Sequence, residues 1–375
     1  MKVLITGANG FIGRNLQLYL RERKDVEVIC CTRDQQQAPL EALLEGVDFV
    51  FHLAGINRPQ DPAEFTAGNV DFTRALCQAV ATATGATGRR IPVLFASSSQ
   101  AALENAYGKS KRAAEEAIIA AGHDPLVPVH VFRLPNVFGK WCRPNYNSVV
   151  ATFCHNIARQ LPIQVNDAQA PLTLVYIDDV IRRFVELMDG AAQQSDAAGF
   201  ETVQPQYVTT VGELARQIEA FRDSRSSLVS ERVGTGLLRA LYATYVSYLP
   251  VEDFSYSVPQ YADRRGVFVE MLKTPDCGQF SFFTAYPGVT RGGHYHHSKT
   301  EKFLVIKGQA VFRFRHMQTG ATHELQTCGE TPRIVETVPG WTHDITNSGS
   351  EELVVMLWAN EIFDRARPDT YDCPV

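Results

Sequence analysis

No stretch of this 375-residue chain approaches the ~18 unbroken apolar residues that a membrane-crossing helix needs. The opening strand, Val3-Leu4-Ile5, meets Gly7 too soon to be a signal peptide. Basic clusters are missing as well, and a net charge of -5 argues against nucleic acid as the main partner. The eight cysteines include no CxxC pair, although Cys30 and Cys31 are adjacent. That scatter excludes a disulfide framework or a zinc ribbon and predicts reduced thiols in the cytoplasm. Internal repeats and low-complexity segments are also lacking. What is left is the composition of a soluble globular protein, 45% apolar and 21% charged. It is too long for one ordinary core, so two domains are expected.

The first half alternates strand and helix patterns. Strands are expected at Lys2–Ile5, Val26–Cys31, Asp48–Leu53, Ile91–Phe95 and Val129–Phe132. Helices are expected at Phe11–Arg21, Pro39–Leu44, Thr73–Ala81 and Tyr107–Ala121. Such alternation implies parallel strands covered by helices on both faces. The chain turns small and polar at Gln193–Gly199 and Asp223–Ser230, and Leu237–Tyr248 has the pattern of a bridging helix. Beyond about Gly266 the texture changes to strands and Gly/Pro turns: Gln279–Tyr286, Lys302–Ile306, Ala310–His316, Ile334–Val338 and Leu353–Trp358. These imply an all-β barrel or sandwich. The expected division is residues 1–245 and 246–375.

The segment Gly7-Ala8-Asn9-Gly10-Phe11-Ile12-Gly13 joins the first strand to the first helix. Glycines there permit a tight turn, close backbone approach to a pyrophosphate, and close helix packing. The helix N-terminus then offers unpaired N–H groups to the phosphates. The second strand ends Cys31-Thr32-Arg33, where an NAD site would place a carboxylate. Arg33 suits a 2′-phosphate, so NADPH is expected over NADH. Asp34 follows immediately, and a solvated surface role for Arg33 stands beside this reading.

The N-terminal half resembles the extended short-chain dehydrogenase/reductase family, which works largely on nucleotide sugars. The resemblance is carried by the Thr6–Gly13 segment, His52-Leu53-Ala54-Gly55, Asn69-Val70 with Thr73, and Ala96-Ser97-Ser98-Ser99. It continues through Tyr107 with Lys111, Arg133-Leu134-Pro135-Asn136-Val137-Phe138-Gly139 and Val175-Tyr176-Ile177-Asp178-Asp179-Val180. The resemblance implies a Rossmann-type doubly wound parallel sheet. It also implies cofactor contacts from Gly7, Gly10, Phe11, Ile12, Gly13, Leu53, Ala54, Tyr107 and Lys111. Ser98 would position the substrate carbonyl, with Ser97 or Ser99 as alternatives, and Tyr107 would act as acid/base. Lys111 would hold the ribose and lower the tyrosine's pKa, since a phenol near pKa ~10 needs a neighbouring cation to titrate near neutrality. Asn136 would meet the substrate's uridine diphosphate; Asn147 is a candidate by proximity, and Arg143 is either a pyrophosphate partner or solvated surface. Two departures stand out. Only 14 residues separate Arg33 from Asp48, which leaves the family's usual third strand shortened or missing. Ser99-Gln100 stands where sugar dehydratases carry an Asp-Glu pair, which disfavours dehydration and leaves ketone reduction or 4-epimerisation.

In the C-terminal half, Gly288-x5-His294-x-His296-x4-Glu301-x6-Gly308 and Pro339-Gly340-x2-His343-x3-Asn347 resemble the two cupin motifs. His294 and His296, two apart on a strand, would share a face, with His297 pointing away. His294, His296, Glu301 and His343 then form a candidate metal set. Zinc is the default, and iron, manganese, nickel and cobalt fit the same donors. A metal-free barrel with core histidines is the alternative.

A reductase half joined to a barrel of this kind resembles the bifunctional capsular polysaccharide enzymes of the UDP-N-acetyl-L-fucosamine route. The resemblance implies that the cupin epimerises C3 of a UDP-2-acetamido-2,6-dideoxy-4-hexulose. The reductase domain would then reduce the C4 ketone with NADPH to the L-talose-configured sugar. The ketone itself makes the neighbouring C–H acidic, which gives the fusion a chemical reason. Tyr286, Lys302 and His316 are candidate bases for the barrel, and the metal could instead be structural. Competing readings are a nucleotide-sugar 4-epimerase that retains NAD and has a structural cupin, and a non-enzymatic sensor. Intact Tyr107 and Lys111 disfavour the sensor. A homodimer is expected from barrels of this type.

Overall fold

The computed structural model describes every residue except 33–38, 62, 255, 257, 297, 298, 300, 318, 338–340 and 367. The chain divides into two compact units, Met1–Arg216 with Ala243–Tyr248, and Gln217–Tyr242 with Leu249–Val375.

The first unit is built on a parallel sheet of β1 (Lys2–Thr6), β2 (Glu27–Cys31), β3 (Phe49–His52), β4 (Val93–Ser98) and β5 (Val129–Leu134), in the order β2-β1-β3-β4-β5. All four of its pairings are parallel. β3 is buried along its whole length, as a strand covered on both faces must be. Successive residues serve opposite layers: Val50 packs with Leu76, Val80 and Ile118 from helices Phe72–Thr87 and Ala106–Ala121. Phe51 turns the other way, 6.4 Å from Phe184 of helix Ile177–Met188. Among the described residues no strand lies outside β2, and only the short turn Leu40–Leu43 separates β2 from β3. Among the described residues the usual third strand is therefore not seen, in line with the expectation that it is shortened or missing. A small sheet of β6 (Asn136–Phe138), β7 (Pro171–Tyr176) and β8 (Tyr207–Thr210) follows in the order β6-β7-β8. The helix expected over 73–81 runs further, Phe72–Thr87, and ends on Gly88 in the left-handed conformation.

The second unit is antiparallel. One sheet holds β9 (Gln260–Asp263), β10 (Gly266–Thr274), β11 (Gly278–Ala285), β13 (Glu301–Lys307), β16 (Ile334–Glu336) and β18 (Leu353–Ala359), in the order β16-β13-β18-β11-β10-β9. The other holds β12 (Thr290–Tyr295), β14 (Gln309–His316), β15 (Thr322–Cys328), β17 (Trp341–Asn347) and β19 (Tyr371–Asp372), in the order β15-β14-β17-β12-β19. Phe283, Phe303, Val305, Phe312, Ile345 and Val355 fill the core of this cupin-like unit. β12 and β17 lack clean apolar alternation, because Gly292, Gly293 and His294 fill much of β12 and Thr342, His343 and Asp344 are buried in β17.

Two glycines fix the start of the first unit. Gly7 has φ +66, and a Cβ there would stand 2.6 Å from the Ala54 amide nitrogen. A Cβ on Gly13 would stand 2.4 Å from the Gly7 carbonyl oxygen, whereas one on Gly85, inside helix Phe72–Thr87, meets open space. Gly85→Ala should therefore stabilise the protein by about 0.5–1 kcal/mol. Gly13→Ala should lower the melting temperature and weaken nicotinamide binding; thermal melts with and without cofactor check both.

Candidate functional site

In the first unit the helix Phe11–Arg21 begins at Gly10, whose extended backbone offers no side-chain cap. Its first N–H groups are thus left for a ligand. A cavity of about 470 Å³ opens there, lined by Gly7, Gly10, Phe11, Ile12 and Gly13. Its far end is lined by Ser98, Tyr107, Lys111 and Asn136. A neighbouring cavity, lined by Thr32, Leu53, Ala54, Glu64 and Phe72, shares Gly7, Gly10 and Leu53 with the first. Arg33 lies outside the described residues.

A directional chain of hydrogen bonds frames these cavities. Thr73 Oγ1 donates to the Asn69 carbonyl at 2.6 Å, so it must accept from His52 Nε2, 2.8 Å away. That assigns the His52 proton to Nε2 and leaves Nδ1 to accept from Thr6 Oγ1 at 2.7 Å. Thr6 Oγ1 in turn accepts from the Ala54 amide at 3.3 Å. Complete burial depresses the His52 pKa to about 3, with the Lys111 charge acting in the same direction, so the ring is neutral. Asn69 lies in a π-helical turn, Thr66–Asp71. Its side chain holds Ile56 through both backbone groups, at 2.7 and 2.9 Å, and donates to Ser110 Oγ at 2.9 Å. Ser110 Oγ then donates to the Tyr107 carbonyl at 2.8 Å.

Helix Ala106–Ala121 is capped by Asn105, whose Oδ1 accepts from the Gly108 amide at 2.7 Å. Tyr107 and Lys111 follow one turn apart. Of the three serines ending β4, Ser97 is buried and spent on Glu115 at 2.5 Å, and Ser99 is exposed. Ser98 is the one hydrogen-bonded to Tyr107. Burial pushes the Tyr107 phenol above its ordinary pKa, and the Ser98 bond works against it. The lowering expected from Lys111 is not among the influences on this phenol, which is protonated at neutrality. Lys111 Nζ donates to the Ala96 carbonyl at 2.8 Å and sits 4.4 Å from the centre of the Phe95 ring. Burial pulls its pKa down to about 8, against the attraction of Glu115. Glu115 is held by Arg133, with contacts at 2.7 and 3.1 Å. Asn136 donates to the Thr173 carbonyl at 3.1 Å while lining the cavity. Arg143 and Arg58 both approach the Tyr146 ring, at 4.9 and 5.6 Å from its centre. Arg58 and Tyr146 form no motif, because loops far apart in sequence bring them together.

In the barrel, the donor atoms of His294, His296, Glu301 and His343 all lie within 4.8 Å of one another. His294 sits beside a bulge: the β12–β17 register shifts between Gly292 and His294. His296 lies just past the end of β12 rather than on the strand as expected, and His297 and Pro339-Gly340 are outside the described residues. His296 Nδ1 faces the Asp369 carbonyl at 2.6 Å. A carbonyl only accepts, so this nitrogen carries the proton and Nε2 presents a lone pair. That lone pair meets Glu301 Oε2 at 3.1 Å, and His343 Nε2 stands 3.5 Å from the same oxygen. Burial would raise the Glu301 carboxyl, but the neighbouring His296 and His343 outweigh it and hold the pKa well below the ordinary carboxylate range. Neither nitrogen of buried His343 has a hydrogen-bond partner. Burial and the neighbouring His343 lower the His294 pKa to about 4, so that imidazole too is neutral. Converging lone pairs around an ionised carboxylate fit a divalent metal ion. Of the candidate bases, Lys302 alternates with the inward Glu301 and is exposed, and Tyr286 is exposed beyond the end of β11. His316 Nδ1 accepts from the Thr319 amide at 3.1 Å, which leaves Nε2 as a proton donor in the neutral ring.

The glycine turn and the Ser98–Tyr107–Lys111 group share one cavity, which places the first unit among nicotinamide-dependent dehydrogenases of the short-chain type. The chain belongs to the NAD dependent epimerase/dehydratase family, which matches residues 3–198. Residues 261–371 match the Polysaccharide biosynthesis C-terminal domain. It is 62% identical over 375 residues to the UDP-2-acetamido-2,6-beta-L-arabino-hexul-4-ose reductase of Pseudomonas aeruginosa, covering 100% of this chain and 99% of that one. The crystal structure of the capsular polysaccharide assembling protein CapF from Staphylococcus aureus superposes with a TM-score of 0.92 at 39% identity, covering 100% of both chains. Over the described residues no helix is long and apolar enough to cross a membrane.

The Lys111 ammonium should control the pH dependence of the first site. kcat/KM for the nicotinamide cofactor should be level between about pH 6 and 7 and fall as pH rises through about 8, where the ammonium is lost. A profile level to about pH 10 would place the controlling proton elsewhere.

Proposed function

We propose that the chain is a bifunctional enzyme acting on a UDP-2-acetamido-2,6-dideoxy-4-hexulose. Residues 246–375 epimerise C3, and residues 1–245 reduce the C4 ketone with NADPH to the L-talose-configured sugar. The observation that carries the reductive half is a protonated, Ser98-bonded Tyr107 one turn from a buried Lys111, in a cavity that begins at a glycine-rich helix N-terminus. The full-length likeness to a UDP-hexulose reductase supports the substrate class.

NADPH, when bound, supplies the hydride to C4. The chain's own groups handle the oxygen. Ser98 hydrogen-bonds the ketone, and Tyr107 gives its phenolic proton to the developing alkoxide. Lys111, already carrying a full charge at neutrality, holds the ribose and stabilises the tyrosinate left behind. Burial raises the phenol's pKa and so keeps it in the acid form that reduction needs. Arg143, which lines the cavity beside Tyr146, offers a charge to the substrate's diphosphate, with Arg58 near the same ring, and Asn136 and Asn147 complete that end.

In the barrel, a metal ion held by His294, His296, Glu301 and His343 would act as a Lewis acid toward the ketone. The ketone acidifies the C3 hydrogen, which is removed from one face and returned to the other. Reduction of the ketone then ends that acidity and locks the new centre.

Incubation of the purified protein with the UDP-4-keto-6-deoxy-N-acetyl sugar should consume NADPH faster than NADH and give a C4 alcohol by NMR. NADH preference would remove the assignment of Arg33, and no reduction with either cofactor would remove the substrate class. Arg143→Ala should raise the KM for the nucleotide sugar roughly tenfold with kcat little changed, because a diphosphate contact is made equally in ground and transition states. An unchanged KM would return Arg143 to the solvated surface.

A further inference from the structure

One segment far from the ligand motifs reaches the surroundings of all three histidines. From Pro368 to Cys373 the chain lies along the metal cluster and is gripped at successive residues. The Asp369 carbonyl accepts from His296 Nδ1 at 2.6 Å, and its carboxylate accepts from the Lys299 amide at 2.8 Å. Lys299 is 5% exposed, and its ammonium donates to the Pro368 carbonyl at 3.2 Å and to Thr370 Oγ1 at 2.6 Å. Tyr371–Asp372 form β19, which pairs with β12 so that Asp372 stands opposite His294. The Cys373 amide donates to the Gly293 carbonyl at 2.8 Å, and Thr342, next to His343, donates to the Cys373 carbonyl.

Asp369 adopts φ +37, a left-handed conformation that a non-glycine residue keeps only when its surroundings hold it there. Here they hold it by both its carbonyl and its carboxylate. The consequence falls on His296. Without the Asp369 carbonyl, either ring nitrogen could carry the proton, and the ring could turn. With it, the lone pair is fixed on Nε2 and aimed at the point where Glu301 and His343 converge.

We propose that residues 368–373 form an outer support of the metal centre. In it Asp369 is a positioning residue that selects the tautomer and orientation of His296, and Lys299 is the anchor that holds Asp369 in place. This rests on the reading of the four-residue cluster as a metal site. The two residues act through His296, so their loss should appear in metal affinity before it appears in folding. Supports of this kind typically contribute 10- to 100-fold in affinity.

The test uses the full chain, with zinc affinity measured by chelator competition and barrel integrity by near-ultraviolet circular dichroism and melting. Asp369→Gly keeps the left-handed backbone accessible and removes the carboxylate anchor. Lys299→Met removes the ammonium while keeping its apolar length, which guards against a single variant that fails to fold. Folded Asp369→Gly and Lys299→Met proteins that bind zinc about 10- to 100-fold more weakly would support the proposal. Affinities unchanged in both would overturn it while leaving the metal site standing. A wild-type chain that binds no zinc would overturn both this proposal and the metal reading beneath it.

Discussion

A neutral imidazole sealed inside the first unit sets the geometry of everything around its cofactor cavity. His52 ends β3, yet its two nitrogens are committed to Thr6 at the end of β1 and Thr73 at the head of the next helix. Through Thr6 the same group fixes Ala54 against Gly7, where the backbones leave no room for a Cβ. Through Thr73 and Asn69 it reaches the helix that presents Tyr107 and Lys111. Each bond in this series has one possible direction once the Asn69 carbonyl is taken as the terminal acceptor, so the network permits a single proton arrangement. A protonated His52 would put a second donor against the Thr6 hydroxyl and a charge into a space without solvent. The cofactor rim and the catalytic helix therefore keep their relative position only while that ring stays neutral.

The two candidate sites use burial in opposite ways. Around Tyr107 it favours the neutral phenol and lowers the pKa of the lysine beside it to about 8, which leaves the lysine charged at neutrality. In the barrel burial would neutralise Glu301, but the neighbouring His296 and His343 keep it ionised. A carboxylate held charged among lone pairs has few uses other than cation binding. Desolvation thus favours the proton donor at Tyr107 and opposes the charged carboxylate at Glu301, where the neighbouring histidines prevail.

Much of this was legible in the sequence because the chemistry demands particular residues at short spacing. Gly7, Gly10 and Gly13 must fall between a strand and a helix, Tyr107 and Lys111 must lie one helical turn apart, and His294, His296 and Glu301 come within eight residues. The parallel sheet was readable for a similar reason, since strands buried on both faces are near-continuous apolar runs. What escaped depends on distant partners. Nothing local separates Ser98 from Ser97 and Ser99; the choice needs Glu115, which claims Ser97, and Tyr107, which meets Ser98. Asp369 and Lys299 lie 70 residues apart and match no motif, although a buried lysine two residues before Glu301 is a signal worth following. The barrel strands that carry ligands were the hardest to see, because inward histidines and the bulge at Gly292–His294 break the alternation that identifies a strand.

On the proposed function, two independent centres on one chain act on the same ketone. The most direct measurement follows deuterium from D2O into the carbon beside the ketone, without NADPH, in a Tyr107→Phe protein that cannot reduce. The account predicts exchange at the wild-type rate, because the barrel alone performs it. Exchange lost together with reduction would show that both reactions belong to the Tyr107 site and that the barrel serves another purpose.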